Sequence, residues 1–390
     1  MNVEQDKMIS GFSKLTKTEK IQWIARQFFH GEESAVVEEL MEFWHEDGRL
    51  QKTIDGFSEN TISNFYMPYG VAPNFLIDGK SYCVPMVIEE SSVVAAAAAA
   101  AKFWMTRGGF QTEILGSTKI GQVHFSWKGN VEKLRVMFPQ IKKQLLTDTN
   151  HITHNMRNRG GGVSDIELLD FTHLEAELYQ LRVSFETCDS MGANFINSVL
   201  EEMGRSLVCF CGKQEHFTKE EKELTIIMAI LSNYTPNCVV RASVECSIEE
   251  LGEFPDNMSA ETFAEKFYKA VRIATIDPYR ATTHNKGIFN GIDSVILATA
   301  NDFRAIEAGG HTYASQSGQY RSLSHCTIVD GIFKFWLDIP LAVGTVGGLT
   351  KLHPLAKRSL QLLDNPTAHE LMSIIATVGL AQNFAALRSL

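Results

Sequence analysis

The first residues, MNVEQDKMISGFSK, lack the apolar core of a signal peptide. No apolar run reaches the roughly 18 residues that a membrane span needs. Basic charge is in deficit too: 36 Lys and Arg against 46 Asp and Glu give a formal net charge of −10, which argues against a nonspecific nucleic-acid surface. No Gly-x-Gly-x-x-Gly occurs, so the Rossmann fingerprint is missing. The seven cysteines are odd in number, with only a C-x-C at Cys209 and Cys211 and no ligand-spaced His pair. They read as reduced thiols, and the chain is expected to be cytoplasmic, without a metal site.

What is present is ordinary globular material: 390 residues, 44% hydrophobic and 21% charged, enough for two or three domains. The stretch Asp277 to Gly310 stands out. It sets Arg280, Thr283, His284, Lys286, Asn290, Asp302, Arg304 and Glu307 around the apolar run SVILATA. A continuous helix would hold Lys286 and Asp302 roughly 24 Å apart. The pair Asn301-Asp302 favours a break or an N-cap, and such a break is expected to fold Asp302 back toward Lys286. A Lys and a carboxylate in one cleft can stabilise charge developing on a substrate oxygen. A surface ion pair is the plainer alternative.

The motifs THNKG, NGID and NDFRAIEAG in this stretch, with ENTISNFYMPYGVAPNF, VPMVIEESSVVAAA, RGGGVSDIE, DSMGANFIN, GTVGGLTKLHPLA and VGLAQNFAALRSL in the same order, resemble class II 3-hydroxy-3-methylglutaryl-coenzyme A (HMG-CoA) reductases. The resemblance runs from Glu59 onward. It implies reduction of HMG-CoA to mevalonate and coenzyme A by two hydrides from NAD(P)H, or the reverse in mevalonate catabolism. It also implies at least a homodimer with sites between subunits. With this net charge the coenzyme A phosphates need a local basic pocket. The rival readings are a coenzyme A thioester-binding homologue without full turnover and a purely structural homologue.

By the same resemblance Lys286 stabilises the oxyanion, Glu90 supplies its proton, and Asp302 positions and tunes both. A carboxyl that donates near neutrality needs a raised pKa, for which Glu89 and Asp302 are the candidate neighbours. Arg280 holds the free carboxylate of the substrate, a task suited to a guanidinium fork. Ser92, Thr283, Asn290 and Asn233 are further substrate contacts. Cofactor contacts fall on the glycine loop RGGGVSD and on DSMGAN, through Asp189, Met191, Gly192 and Asn194. Members that prefer NAD carry an acid seven residues before the Gly-Gly-Gly. Here Thr153 stands there, with His154, Arg157 and Arg159 close by, so NADPH is expected over NADH.

The implied fold is α+β: a large, mainly helical substrate domain with an inserted ferredoxin-like small domain that binds the cofactor. Periodicity agrees with an insertion. Helices LTKTEKIQWIARQFF and SAVVEELMEFW open the chain, and 59–75 is expected to be an ordered loop, with Ser63 where members usually have Gly. Ser81–Ile88 reads as a strand and VVAAAAAAAKFW as a helix capped by Ser91 or Ser92. Alternating strands and helices then fill 116–235. The expected division is 1–115 large domain, 116–235 small domain, 236–378 large domain, and 379–390 the start of a C-terminal flap. The family's flap bears a Gly-His-Met histidine that protonates the departing thiolate, and none of the twelve histidines lies in such a context or beyond His369. That role falls on no residue here. The chain as given is therefore expected to bind substrate and reduce free mevaldehyde, yet to reduce the thioester poorly until extended.

Overall fold

The computed structural model of the chain describes residues 7–254 and 257–389, and two compact units separate within it. The first, through Pro68 with 352–354, holds α1 (Lys17–Phe28), α2 (Glu33–Glu42) and α3 (Gly48–Asp55). Thr16 and Glu19 close a capping box at the start of α1. Ser63 has a use for its hydroxyl, which donates to the Leu40 carbonyl at 2.6 Å.

The second unit begins with a hairpin, β1 (Tyr69–Ile77) and β2 (Lys80–Val87). The expected loop over 59–75 is thus corrected at its end: Tyr69 to Phe75 is strand. Pro73 fits because β1 is an outer strand and its register shifts between Ala72 and Phe75. Then come α4 (Val93–Met105), β3 (Gln111–Ile114) and β4 (Lys119–Ser126), followed by α5 (Val131–Asp148), α6 (Asn150–Arg157), β5 (Gly162–Asp170), β6 (Leu178–Glu186), α7 (Ala193–Gly212), α8 (Lys219–Lys222) and β7 (Thr225–Leu231). After these run β8 (Val239–Ser247), α9 (Ala260–Ile276), α10 (Pro278–Ala298), α11 (Phe303–Ala314), β9 (Ser324–Val329), β10 (Ile332–Pro340), α12 (Leu349–Leu352), α13 (Pro354–Leu362) and α14 (Ala368–Arg388).

Two sheets organise this unit. One has the order β3-β8-β10-β9, all antiparallel, and packs with α4, α9, α10 and α14 around a core that includes Trp104, Phe333, Phe335 and Phe384. The other has the order β5-β6-β4-β7 and its own core with α5 and α7, built on Phe125, Trp127, Leu134, Phe185 and Leu200. Because β3 pairs with β8, and Leu115 and Thr118 donate to Val239 and Asn237 carbonyls, the chain leaves and re-enters the first sheet at one place.

Helix α14 bears on two expectations. By length and hydropathy it alone, among the described residues, suffices to cross a membrane, yet 78% of its apolar window is buried within the protein. No break occurs at 378/379 either. Residues 379–388, expected to open a flap, continue the same buried helix, and Leu390 lies outside the described residues. The reason is close packing on α10: a Cβ at Gly291 would come 2.7 Å from the Val378 carbonyl oxygen.

Candidate active site

Helix α10 carries the first half of the site. Asp277 caps it by accepting from Tyr279 N at 3.0 Å, and Pro278 fits the first turn, where no amide partner is needed. One face, with Ala281, Ile288, Ile292 and Val295, is core. The other face presents Thr283, Lys286, Asn290 and Asp293, three and four residues apart. His284 is buried with Nε2 at 2.7 Å from Ser324 Oγ, which donates to Asn383 Oδ1. Burial pushes this imidazole down to about 3, so it stays neutral and anchors α10.

Glu90 reaches the polar face from the turn between β2 and α4. Its Oε2 accepts from Lys286 Nζ at 2.6 Å and from Asn290 Nδ2 at 3.2 Å. Both charged side chains are about half exposed, 47% for Glu90 and 60% for Lys286. The near neighbour is a cation, where the sequence led us to expect a like charge. Ser92 holds the N-cap of α4 at φ 74° but makes no capping hydrogen bond, so its hydroxyl is left for other partners.

The expected turn after α10 is present at 299–302, but it does not pair Asp302 with Lys286. Asp302 caps α11, accepting from Arg304 N at 3.1 Å and Ala305 N at 3.2 Å, and its ion pair is with Arg304. Asn301 beside it accepts from Gly344 N at 2.9 Å. Asp302 and Asn301 therefore form one wall of a cleft of about 470 Å³. The opposite wall is Met191, Gly192 and Asn194 at the start of α7, with Asn155 and Arg159 from the end of α6 onward.

Gly192 sits at φ 89°, and a Cβ there would strike Thr187 at 2.5 Å. The bend aims the amino end of the 20-residue α7 into the cleft, which is an anion-binding arrangement.

Several expected residues lie elsewhere. Thr153 is buried, and its hydroxyl donates to the Thr149 carbonyl at 3.1 Å, so it faces the interior. Arg157 lines a separate hollow with Lys143 and Asn150. On a helix, position along the chain is less decisive than face, and α6 turns Asn155 rather than Thr153 and Arg157 to the cleft. Asp189 is used structurally: its carboxylate accepts from Ala368 N at 2.8 Å at the start of α14. Asn233 lies behind α11, where it lines a small cavity of about 20 Å³ with Gly309. Arg280 is half-buried and, among the described residues, has no ion pair. Asp293 was missed. It and Glu307 bring two carboxyls together between α10 and α11, and burial with the Glu307 charge raises Asp293 to about 8. Asp293 lies in NGID and Glu307 in NDFRAIEAG, but only the helix hairpin shows that the two meet.

Three comparisons bear on this geometry. Residues 18–390 match the family model for hydroxymethylglutaryl-coenzyme A reductase. A 3-hydroxy-3-methylglutaryl-coenzyme A reductase of Archaeoglobus fulgidus is 36% identical over 382 residues, 98% of this chain and 82% of its own length. A probable enzyme of the same name from Borreliella burgdorferi is 31% identical over 397 residues, 100% of this chain and 85% of its own. Among solved structures, the class II enzyme of Streptococcus pneumoniae bound to NADPH in open conformations superposes with a TM-score of 0.79 at 36% identity, covering 98% of this chain and 99% of that one.

Proposed function

The chain belongs to the hydroxymethylglutaryl-coenzyme A reductase family and is an NADPH-dependent oxidoreductase that reduces HMG-CoA to mevalonate, and from that premise we propose how its residues divide the work. The observation that carries the proposal is the convergence of Lys286 and Asn290 on one oxygen of Glu90. The Lys286 ammonium stabilises negative charge on the carbonyl oxygen of the thioester and then of the aldehyde. Glu90, in its protonated form, delivers the proton to that oxygen, and Asn290, on the same side-chain oxygen as Lys286, holds the Glu90 side chain in place. Arg280, Thr283 and Ser92, near the same face, are the groups for the substrate carboxylate and acyl chain.

The cleft between Asp302 and Gly192 suits a dinucleotide. Gly192 and the amino end of α7 line it, and Arg159 gives the cation that a ribose 2′-phosphate requires. Two NADPH molecules, bound there in turn, would each supply one hydride. We keep Asp302 in the catalytic set, since it stands at the end of this cleft on the element that follows α10. We further assign 116–235 as a ferredoxin-like cofactor domain, with β-α-β-β-α-β succession and the strand order described above in support. The openness of Lys286 and Glu90 in the single chain favours a homodimer or higher oligomer in which a second copy covers them. On the same premise we place the enzyme in the cytoplasm.

Glu90→Gln tests the assignment. Steady-state kinetics should show kcat reduced about 10²- to 10⁴-fold, the usual worth of a positioned acid, while calorimetry shows HMG-CoA binding retained. Turnover near the unmodified rate in the folded variant would contradict it.

A further inference from the structure

Lys119 opens β4 and is 5% exposed, yet among the described residues it has no carboxylate within ion-pair distance. Its Nζ donates to Thr187 Oγ1 at 2.5 Å and to the Ser190 carbonyl at 2.8 Å. Thr187 Oγ1 donates to that same carbonyl at 2.6 Å, and Ser190 Oγ returns a bond to the Thr187 carbonyl at 3.0 Å. One buried cation thus pins both ends of the turn that leads into Gly192. Burial holds the ammonium below its ordinary range, opposed by Cys238, Glu186 and Cys188. Glu186 is already engaged by Ser117 Oγ and Cys188 N.

Burying a cation without a counter-ion is costly, so its location asks for a reason. Met191 and Ala193 line the large cleft on one side and, with Lys119, the small cavity on the other. They are a wall one residue thick. Lys119 stands behind it, opposite the place where the cofactor's phosphates belong. The other side of the turn is fixed as well, since Asp189 O accepts from Thr345 N at 2.9 Å.

We propose that Lys119 is a positioning residue for the anionic dinucleotide: it holds the 187–192 turn in its binding shape and sets positive charge behind the wall. This rests on the reading that NADPH occupies the cleft. In Lys119→Met, calorimetry should show the Kd for NADPH rising about tenfold to a hundredfold, the range of one lost charge-assisted hydrogen-bond set, with the Kd for HMG-CoA unchanged within about twofold on the same scale. An unchanged NADPH Kd overturns the proposal. So does a parallel loss of both affinities with a lower melting temperature, which marks a structural role only. If Lys119→Met does not fold, Thr187→Val decides, because it keeps the charge and removes one anchor. A selective rise of about threefold or more in the NADPH Kd supports the proposal, and no rise overturns it. Failure of the unmodified enzyme to bind NADPH would instead sink the cofactor site itself.

Discussion

Arg159 shows what a single side chain decides in this enzyme. It lines the cleft on the same side as Asn155, its Nε donating to the Asn155 carbonyl at 3.2 Å, and it is the cation nearest the Gly192 turn in that lining. A guanidinium accommodates a ribose 2′-phosphate that an acid would repel. Arg159→Glu is therefore expected to lower kcat/KM for NADPH by at least about tenfold while leaving NADH nearly unaffected, because one charge-assisted pair becomes a repulsion. Measured efficiencies with the two cofactors check it; a fall of equal size for both would remove Arg159 from 2′-phosphate recognition. At this scale the family resemblance of the motifs singled out Lys286, Glu90 and Asn290, and the structure brings these three side chains together. They mislocated Thr153 and Arg157 because counting back from a glycine triplet ignores which way a helix faces.

At the scale of elements the α10–α11 hairpin is the key unit, and the break between its helices was readable from Asn301-Asp302. The carboxyl pair inside it was not. Asp293 has a buried oxygen without a partner among the described residues, and two ionised carboxylates cannot hydrogen-bond each other. The contact with Glu307 is a hydrogen bond only when one proton is present. Asp293 is raised from 3.8 to about 8 in the folded chain, so the folded state binds this proton more tightly than the unfolded state does. The associated stability is full below the ordinary carboxyl range and is lost as pH rises toward 8. Asp293→Asn keeps a hydrogen-bond donor without needing the proton. Urea unfolding should show the unmodified enzyme losing on the order of a few kcal/mol between pH 5 and 9 relative to this variant. Equal slopes for both would mean that the pair ionises freely. Other elements resisted sequence reading for plain reasons. Pro73 hid the start of β1 because proline is tolerated on an outer strand, and the continuation of α14 past 378 was hidden because the faces that bury it lie far away in the chain.

For the whole molecule, the pairing of β3 with β8 lets 115–238 leave the first sheet and return to it, which lets one chain build the proposed substrate face on α10 and the proposed cofactor cleft on α6 and α7. Alternating strand and helix patterns over 116–235 agree with the strands and helices found there; the cleft was not legible, since its walls come from segments more than 100 residues apart. The central claim is that Lys286, held by Glu90, stabilises the oxyanion. The direct test is Lys286→Ala, with pre-steady-state and steady-state reduction of HMG-CoA measured alongside circular dichroism and HMG-CoA binding. The predicted result is a kcat lower by about 10²- to 10³-fold, the scale of losing an oxyanion-stabilising donor, in a folded protein that still binds HMG-CoA. Turnover close to that of the unmodified enzyme in such a folded, substrate-binding variant would contradict it and leave Lys286 as half of a surface ion pair.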